Sequence, residues 1–119
     1  MILAIDIGNT NIVIGCCADG QVIFRERVST NPTATVLEYA AMLKMAFDMN
    51  RADITAVDGA ILSSVVPAVT LTMRDAVHKY LHLPPLVVGH AHPAEHLLVA
   101  VLHAHDARVG VLAHRFHAF

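Results

Sequence analysis

Charge is the scarcest commodity in this chain. Asp, Glu, Lys and Arg together make up 15% of the 119 residues, where about a quarter is usual for a soluble domain. Surface is therefore expected to be covered, by a second lobe or a second chain. The few charges nearly cancel, to a net −2, so no basic field invites a nucleic-acid partner. No apolar run approaches the roughly 20 residues a membrane span needs. A basic leader and a cleavage-type segment are also missing, and a cytoplasmic location is expected. Cysteine is limited to the adjacent pair Cys16 and Cys17, which alternate across a predicted strand and so point to opposite faces. A structural disulfide between them is not expected on that ground, and reduced, buried thiols are.

What is present is apolar and patterned. Hydrophobic residues make up 55% of the chain, enough for one core in one domain. The chain opens with an apolar strand, Ile2-Leu3-Ala4-Ile5, that runs into Asp6. The polar turn Gly8-Asn9-Thr10-Asn11 follows, and a second strand runs from Ile12 through Cys17. Asp19-Gly20 between apolar runs signals another hairpin. A third strand over Gln21–Ser29 places Val22, Phe24, Glu26 and Val28 on one face and Arg25, Arg27 and Ser29 on the other. That wetted side is expected at or near a sheet edge.

Thr30-Asn31-Pro32-Thr33 breaks the strand, and Thr33 or Thr35 is placed to cap a helix. From Val36 to about Met49 the period becomes helical, with Val36, Tyr39, Ala40, Leu43 and Phe47 as the buried stripe. The thioethers of Met42, Met45 and Met49 are expected to pack into the core, with a partner groove as the alternative. Ala56 to Val66 reads as a buried strand. Pro67 opens a second helix with Val69, Met73, Ala76, Val77 and Tyr80 inward. Leu83-Pro84-Pro85 ends it, and Leu86-Val87-Val88-Gly89 is a last short strand. The order βββαβαβ predicts an α/β fold, a mixed sheet with helices packed on it. That is the ribonuclease-H-like lobe of the sugar-kinase, actin and chaperone ATPases.

The first turn carries the chemistry. A phosphate loop needs converging N–H groups, a residue that permits close approach and a nearby metal ligand. Gly8, the donors Asn9 and Thr10, and the Asp6 carboxylate meet those needs. A lone acid at the end of a buried strand is costly without a partner, and a nucleotide-bound Mg²⁺ would be one. The plain alternative is a tight turn whose amides Asp6 merely bonds. Neither G-x-x-x-x-G-K-[ST] nor G-x-G-x-x-G occurs in the chain.

Ile5-Asp6-Ile7-Gly8-Asn9-Thr10-Asn11, then Glu38-Tyr39, then Gly59-Ala60-Ile61-Leu62-Ser63-Ser64-Val65-Val66-Pro67 and Pro85-Leu86-Val87-Val88-Gly89 resemble the N-terminal lobe of a type III pantothenate kinase. The resemblance covers residues 1–89, in order and spacing. It implies ATP-dependent phosphorylation of pantothenate to 4'-phosphopantothenate, the first step of coenzyme A biosynthesis. It also implies Mg²⁺, a monovalent cation (K⁺ or NH4⁺), and a homodimer of two-lobed chains. Asp6 becomes the magnesium and phosphate residue. Gly8, Asn9 and Thr10 become the phosphate-loop contacts, and Ile7, Asn11, Ile12 and Val13 complete the nucleotide-binding stretch.

The remainder departs from that pattern. Where the family continues into a Gly-rich basic segment and a G-A-D-R motif bearing the catalytic base, Gly89 is followed by His90-Ala91-His92-Pro93. Asp106-Ala107-Arg108 is the nearest string, with Ala107 interrupting it, so no catalytic residue is assigned. The expectation is an ATP-binding lobe over residues 1–89 and a tail over 90–119 that is not family-like, from a shortened or frame-altered reading frame. Seven of the nine histidines fall in that tail, and metal binding there is the competing reading. A non-catalytic nucleotide-binding or regulatory protein of the same superfamily is the alternative to a kinase.

Overall fold

The computed structural model describes residues 1–89. Every reading placed on the histidine-rich segment falls outside them. Five strands, β1 (Ile2–Ile7), β2 (Asn11–Ala18), β3 (Gln21–Ser29), β4 (Gly59–Ser64) and β5 (Leu86–Val88), form one sheet in the order β3-β2-β1-β4-β5. The hairpin turns make β1–β2 and β2–β3 antiparallel, while the helical crossovers make β1–β4 and β4–β5 parallel. The expected mixed sheet is therefore present, with β3 at an edge.

Helices α1 (Val36–Met49) and α2 (Pro67–Leu81) supply those crossovers. Both pack on the face built from Leu3, Ile5, Ile7, Ile12, Ile14, Phe24 and Leu62. Phe47 of α1 is fully buried there, edge-on to Phe24 at 5.3 Å and to Tyr80 at 5.8 Å between ring centroids. The opposite face holds a smaller cluster, Ala4, Val13, Ile61 and Val88, with Ile2 beside it.

Local signals explain the boundaries of α1. The Thr35 hydroxyl accepts from the Glu38 N–H at 3.2 Å, and the Glu38 carboxylate accepts from the Thr35 N–H at 3.0 Å, a complete capping box. Those bonds hold the exposed Glu38 carboxyl below its usual range. Thr35→Ala is expected to lower stability by about 1 kcal/mol in urea titration. Pro67 opens α2 as expected, and His82 closes it in the left-handed conformation, φ 58°.

Four expectations need correction. The strand expected over Ala56–Val66 is shorter, Gly59–Ser64, and Ala56 instead closes a single 3-10 turn, Ile54–Ala56, where Asp53 Oδ1 accepts from both the Thr55 N–H and hydroxyl. In β3 the alternation fails at its start: Cys16 pairs with Phe24 but Cys17 with Val22, so Ile23 is an extra, half-exposed residue. Leu81, not Tyr80, completes the buried stripe of α2. Of the methionine face of α1, Met42 packs partly buried against the core, but Met45 is 61% and Met49 78% exposed. The helix has a second apolar stripe, and the core accommodates only the first.

The cysteines behave as expected. Cys16 lies in the helix-side core and Cys17 pairs with Ile2 of the opposite face, and both are free and buried. Burial pushes the Cys16 thiol from its ordinary 9.0 up to about 12, helped by the neighbouring Cys17, and burial alone pushes Cys17 to about 11. A raised folded-state value favours the protonated thiol in the fold. Its contribution is complete below the unfolded value and is lost as pH rises towards the folded one. Stability is therefore expected to fall between pH 9 and about 12, less steeply in a Cys16→Ala, Cys17→Ala double variant, as thermal melts would measure.

Candidate phosphate-binding turn

The parallel pair β1–β4 points its C-terminal ends to one edge of the sheet, where α/β sheets place their ligands. Asp6 stands at that end of β1. It is paired across the ladder with Val13 and lies level with Ser63 of β4. In a pleated sheet these register partners share a face. Asp6 is partly exposed rather than sealed in the strand, so its cost is smaller than the bare sequence implies.

Beyond Ile7 the chain reverses within Gly8–Asn11. The Gly8 N–H donates to the Asn11 carbonyl at 2.9 Å and closes the turn. A Cβ at Gly8 would sit 3.1 Å from that carbonyl oxygen. Glycine is therefore favoured here by close backbone approach, since any side chain would push that carbonyl back by a few tenths of an ångström; no positive φ is involved. Asn9 and Thr10 are exposed at the tip, which leaves their side-chain donors available to an anion. Ile7 and Ile12 are fully buried and Val13 nearly so, so of the eight stretch residues these three can reach a ligand only through backbone atoms. Asn11, half-buried, opens β2.

The turn is braced from outside by residues that the local pattern does not single out. Thr30, just past β3, donates its hydroxyl to the Gly8 carbonyl at 2.7 Å and its N–H to the Thr10 carbonyl at 2.8 Å. Next to it, Asn31 exchanges bonds with the Tyr39 hydroxyl, which donates to the Asn31 carbonyl at 2.7 Å and accepts from its N–H at 3.1 Å. Tyr39 is buried in the first turns of α1. The turn is thus tied through Thr30 and Asn31 to the capped end of a helix. The signal in the sequence was a threonine at the end of the third meander strand, which an antiparallel meander returns to the first turn. Thr30→Val keeps the shape and removes the hydroxyl bond. It is expected to cost about 1 kcal/mol of stability by urea titration.

On the other flank the Val65 N–H donates to the Ile7 carbonyl at 3.0 Å. Ser64 Oγ accepts from the Val66 N–H at 3.0 Å and so shapes the entry to α2. Ser63 is a buried polar side chain on the Asp6 side of the sheet.

The donor set suits a hard cation carried in by a nucleotide. Among the described residues no three His, Cys, Asp or Glu side chains converge on one point. Mg²⁺ commonly takes one or two carboxylates, phosphate oxygens and water, with no dedicated protein cage. Asp6 fits that pattern. The helices carry no contrary sign, since none among the described residues is long and apolar enough to cross a membrane.

Comparison with known proteins converges on one family. The type III pantothenate kinase family profile matches residues 2–111, beyond the Gly89 at which the motif resemblance stops. A type III pantothenate kinase of Exiguobacterium sp. is 42% identical over 89 residues, covering 75% of this chain and 35% of the relative. One from Finegoldia magna is 44% identical over 88 residues, covering 74% and 34%. In structure, a ROK hexokinase from Thermus thermophilus superposes with a TM-score of 0.59 at 14% identity, over 83% of this chain and 38% of the hexokinase. Thermus thermophilus RuvC bound to a Holliday junction gives 0.57 at 16% identity, over 98% and 93%. At those identities the likeness establishes the fold, the ribonuclease-H-like, actin-ATPase type expected from the element order. The matched chain spans about a third of the length of the curated relatives, and it belongs to the type III pantothenate kinase family.

Proposed function

We propose that residues 1–89 form the ATP-binding, phosphate-loop lobe of a pantothenate kinase, and that the turn after β1 holds the nucleotide phosphates. The observation that carries this reading is the Asp6 carboxylate at the end of β1, beside a turn whose tight backbone approach favours glycine at Gly8. Asn9 and Thr10 would donate to phosphate oxygens, and Gly8 would let the backbone approach them. Asp6 would hold Mg²⁺ directly or through water. When bound, the metal neutralises charge on the phosphate oxygens during transfer. Thr30 and Tyr39 keep the turn in one geometry, which matters because phosphoryl transfer depends on positioning and electrostatics.

In the complete reaction the terminal phosphoryl of ATP passes to the pantothenate hydroxyl, and the hydroxyl proton leaves to a base. The family places that base in a G-A-D-R motif, and the 119 residues contain none. This chain alone is therefore assigned nucleotide binding without transfer. A monovalent cation (K⁺ or NH4⁺), a homodimeric assembly and a cytoplasmic setting follow from the family reading.

Calorimetric titration of the full chain with ATP tests the proposal. Binding that requires Mg²⁺ and vanishes in excess chelator is expected, with no pantothenate phosphorylation in a coupled assay. A folded chain that binds no nucleotide in Mg²⁺ would overturn the phosphate-loop reading. Turnover of pantothenate would overturn the assignment of binding without transfer.

A further inference from the structure

Two serines end β4, and their hydroxyls are in different situations. Ser64 Oγ accepts from the Val66 N–H at 3.0 Å and donates to the Val66 carbonyl at 3.2 Å. Ser63 is the buried polar side chain among the described residues, 3% exposed. No hydrogen bond of its hydroxyl is found among them. The sheet offers it no backbone partner, because Ser63 lies between Asp6 of β1 and Val88 of β5 in the ladder, with strand pairing on both sides. The Val13, Ile61 and Val88 side chains on the same face are apolar. A hydroxyl kept in such surroundings without a bond destabilises the fold. Alanine would fill the strand at no such cost.

The oxygen is nevertheless not sealed. Among the described residues no side-chain oxygen or nitrogen closed off from solvent lacks a partner, so the opening that Ser63 keeps is at its Oγ. That opening is on the Asp6 side of the sheet, and Asp6 and Ser63 are register partners. Neighbouring strands stand about 4.8 Å apart. A carboxylate and a hydroxyl at that spacing can serve the water shell of one small cation.

We infer that Ser63 is a positioning residue of the nucleotide's metal site, its hydroxyl bonding a water of the Mg²⁺ that Asp6 holds. The inference rests on the reading that the turn binds ATP with Mg²⁺, and adds to it a residue from a strand outside the turn. Mg²⁺ dehydrates reluctantly and keeps several waters, so a protein steers it largely through hydrogen bonds to that shell. The Ser63 lone pairs accept from such a water, and its proton turns to whichever acceptor faces it. Ser64 is excluded from this role because its hydroxyl is committed to Val66.

Calorimetric titration of the full chain with ATP in saturating Mg²⁺ tests it, on Ser63→Ala, Asp6→Asn and the double variant. Thermal melts of the ligand-free proteins run beside it. Ser63→Ala is expected to weaken binding about tenfold, the effect of losing an outer partner at a metal site. Its ligand-free melt is expected to stay level or rise, because no bond within the protein is lost. Ser64→Ala, which loses its bonds to Val66, should melt lower. Because Ser63 acts through the cation that Asp6 holds, the double variant should bind no more than about twofold more weakly than Asp6→Asn alone. Wild-type affinity in Ser63→Ala would overturn the inference and leave the phosphate turn in place. A lowered Ser63→Ala melt would mark a bond inside the protein and overturn it. So would a full tenfold loss on top of Asp6→Asn, which would mark a role apart from the cation. A folded wild-type chain that binds no ATP in Mg²⁺ would remove both readings together.

Discussion

Asp6→Asn should weaken Mg²⁺-dependent ATP binding by the full chain on the order of a hundredfold while leaving the fold intact. Loss of an outer partner of a metal ligand already costs 10–100-fold in affinity, and Asp6 would be the ligand itself. Asparagine keeps the size and most of the hydrogen-bonding capacity but removes the negative charge a hard cation requires. Asp6 is partly exposed at the C-terminal end of β1, so the substitution neither opens a cavity nor strands a buried charge. Calorimetric affinity, read beside an unchanged thermal melt, separates a ligand from a structural residue. If Asp6→Asn binds nucleotide as tightly as the wild type, Asp6 does not hold the metal.

The largest effect on stability is expected at Phe47. Its side chain is 0% exposed and stacks edge-on between Phe24 and Tyr80, joining α1 to β3 on one side and α2 on the other. Phe47→Ala should cost about 3–5 kcal/mol, the transfer term plus the cavity left behind. For a fold this small that is a large part of a total of roughly 5–15 kcal/mol. Urea unfolding followed by circular dichroism reads it, with Leu71→Ala as the control. Leu71 is 57% exposed and should change stability by no more than about 0.5 kcal/mol. A loss of under about 1 kcal/mol at Phe47 would mean that α1 is not anchored as described.

Much of the fold was legible because its signals are local. The capping box at Thr35 and Glu38 and the inward stripe Tyr39-Leu43-Phe47 define α1 over Val36–Met49, as read from the sequence. Asp19-Gly20 marks the β2–β3 reversal, with both residues at positive φ. Strand order follows from the turn and crossover rules. What failed to show in the sequence is non-local. The brace from Thr30 to Gly8 spans 22 residues, and the extra residue Ile23 arises only when β3 is laid against β2. The start of β4 was hidden because Ala56-Val57 is apolar enough for a strand, yet the Asp53-capped turn holds Ala56 outside it.

The methionine stripe carries a related lesson. Periodicity finds apolar faces but does not say which face the core will take. Two helices and one sheet bury one stripe of α1, and the other remains exposed. In the turn itself, the close approach at Gly8 and the exposed tip at Asn9 and Thr10 were legible from the residue types, whereas the tie from Thr30 through Asn31 to Tyr39 was not.

The central claim is that the turn after β1 binds the phosphates of ATP. Amide chemical-shift mapping of the full chain on adding ATP with Mg²⁺ tests it most directly. The largest shifts are predicted at Gly8, Asn9, Thr10 and Asn11, with a secondary response at Thr30 and none at the outer face of α1. Shifts that leave this turn untouched while nucleotide binds elsewhere would contradict it.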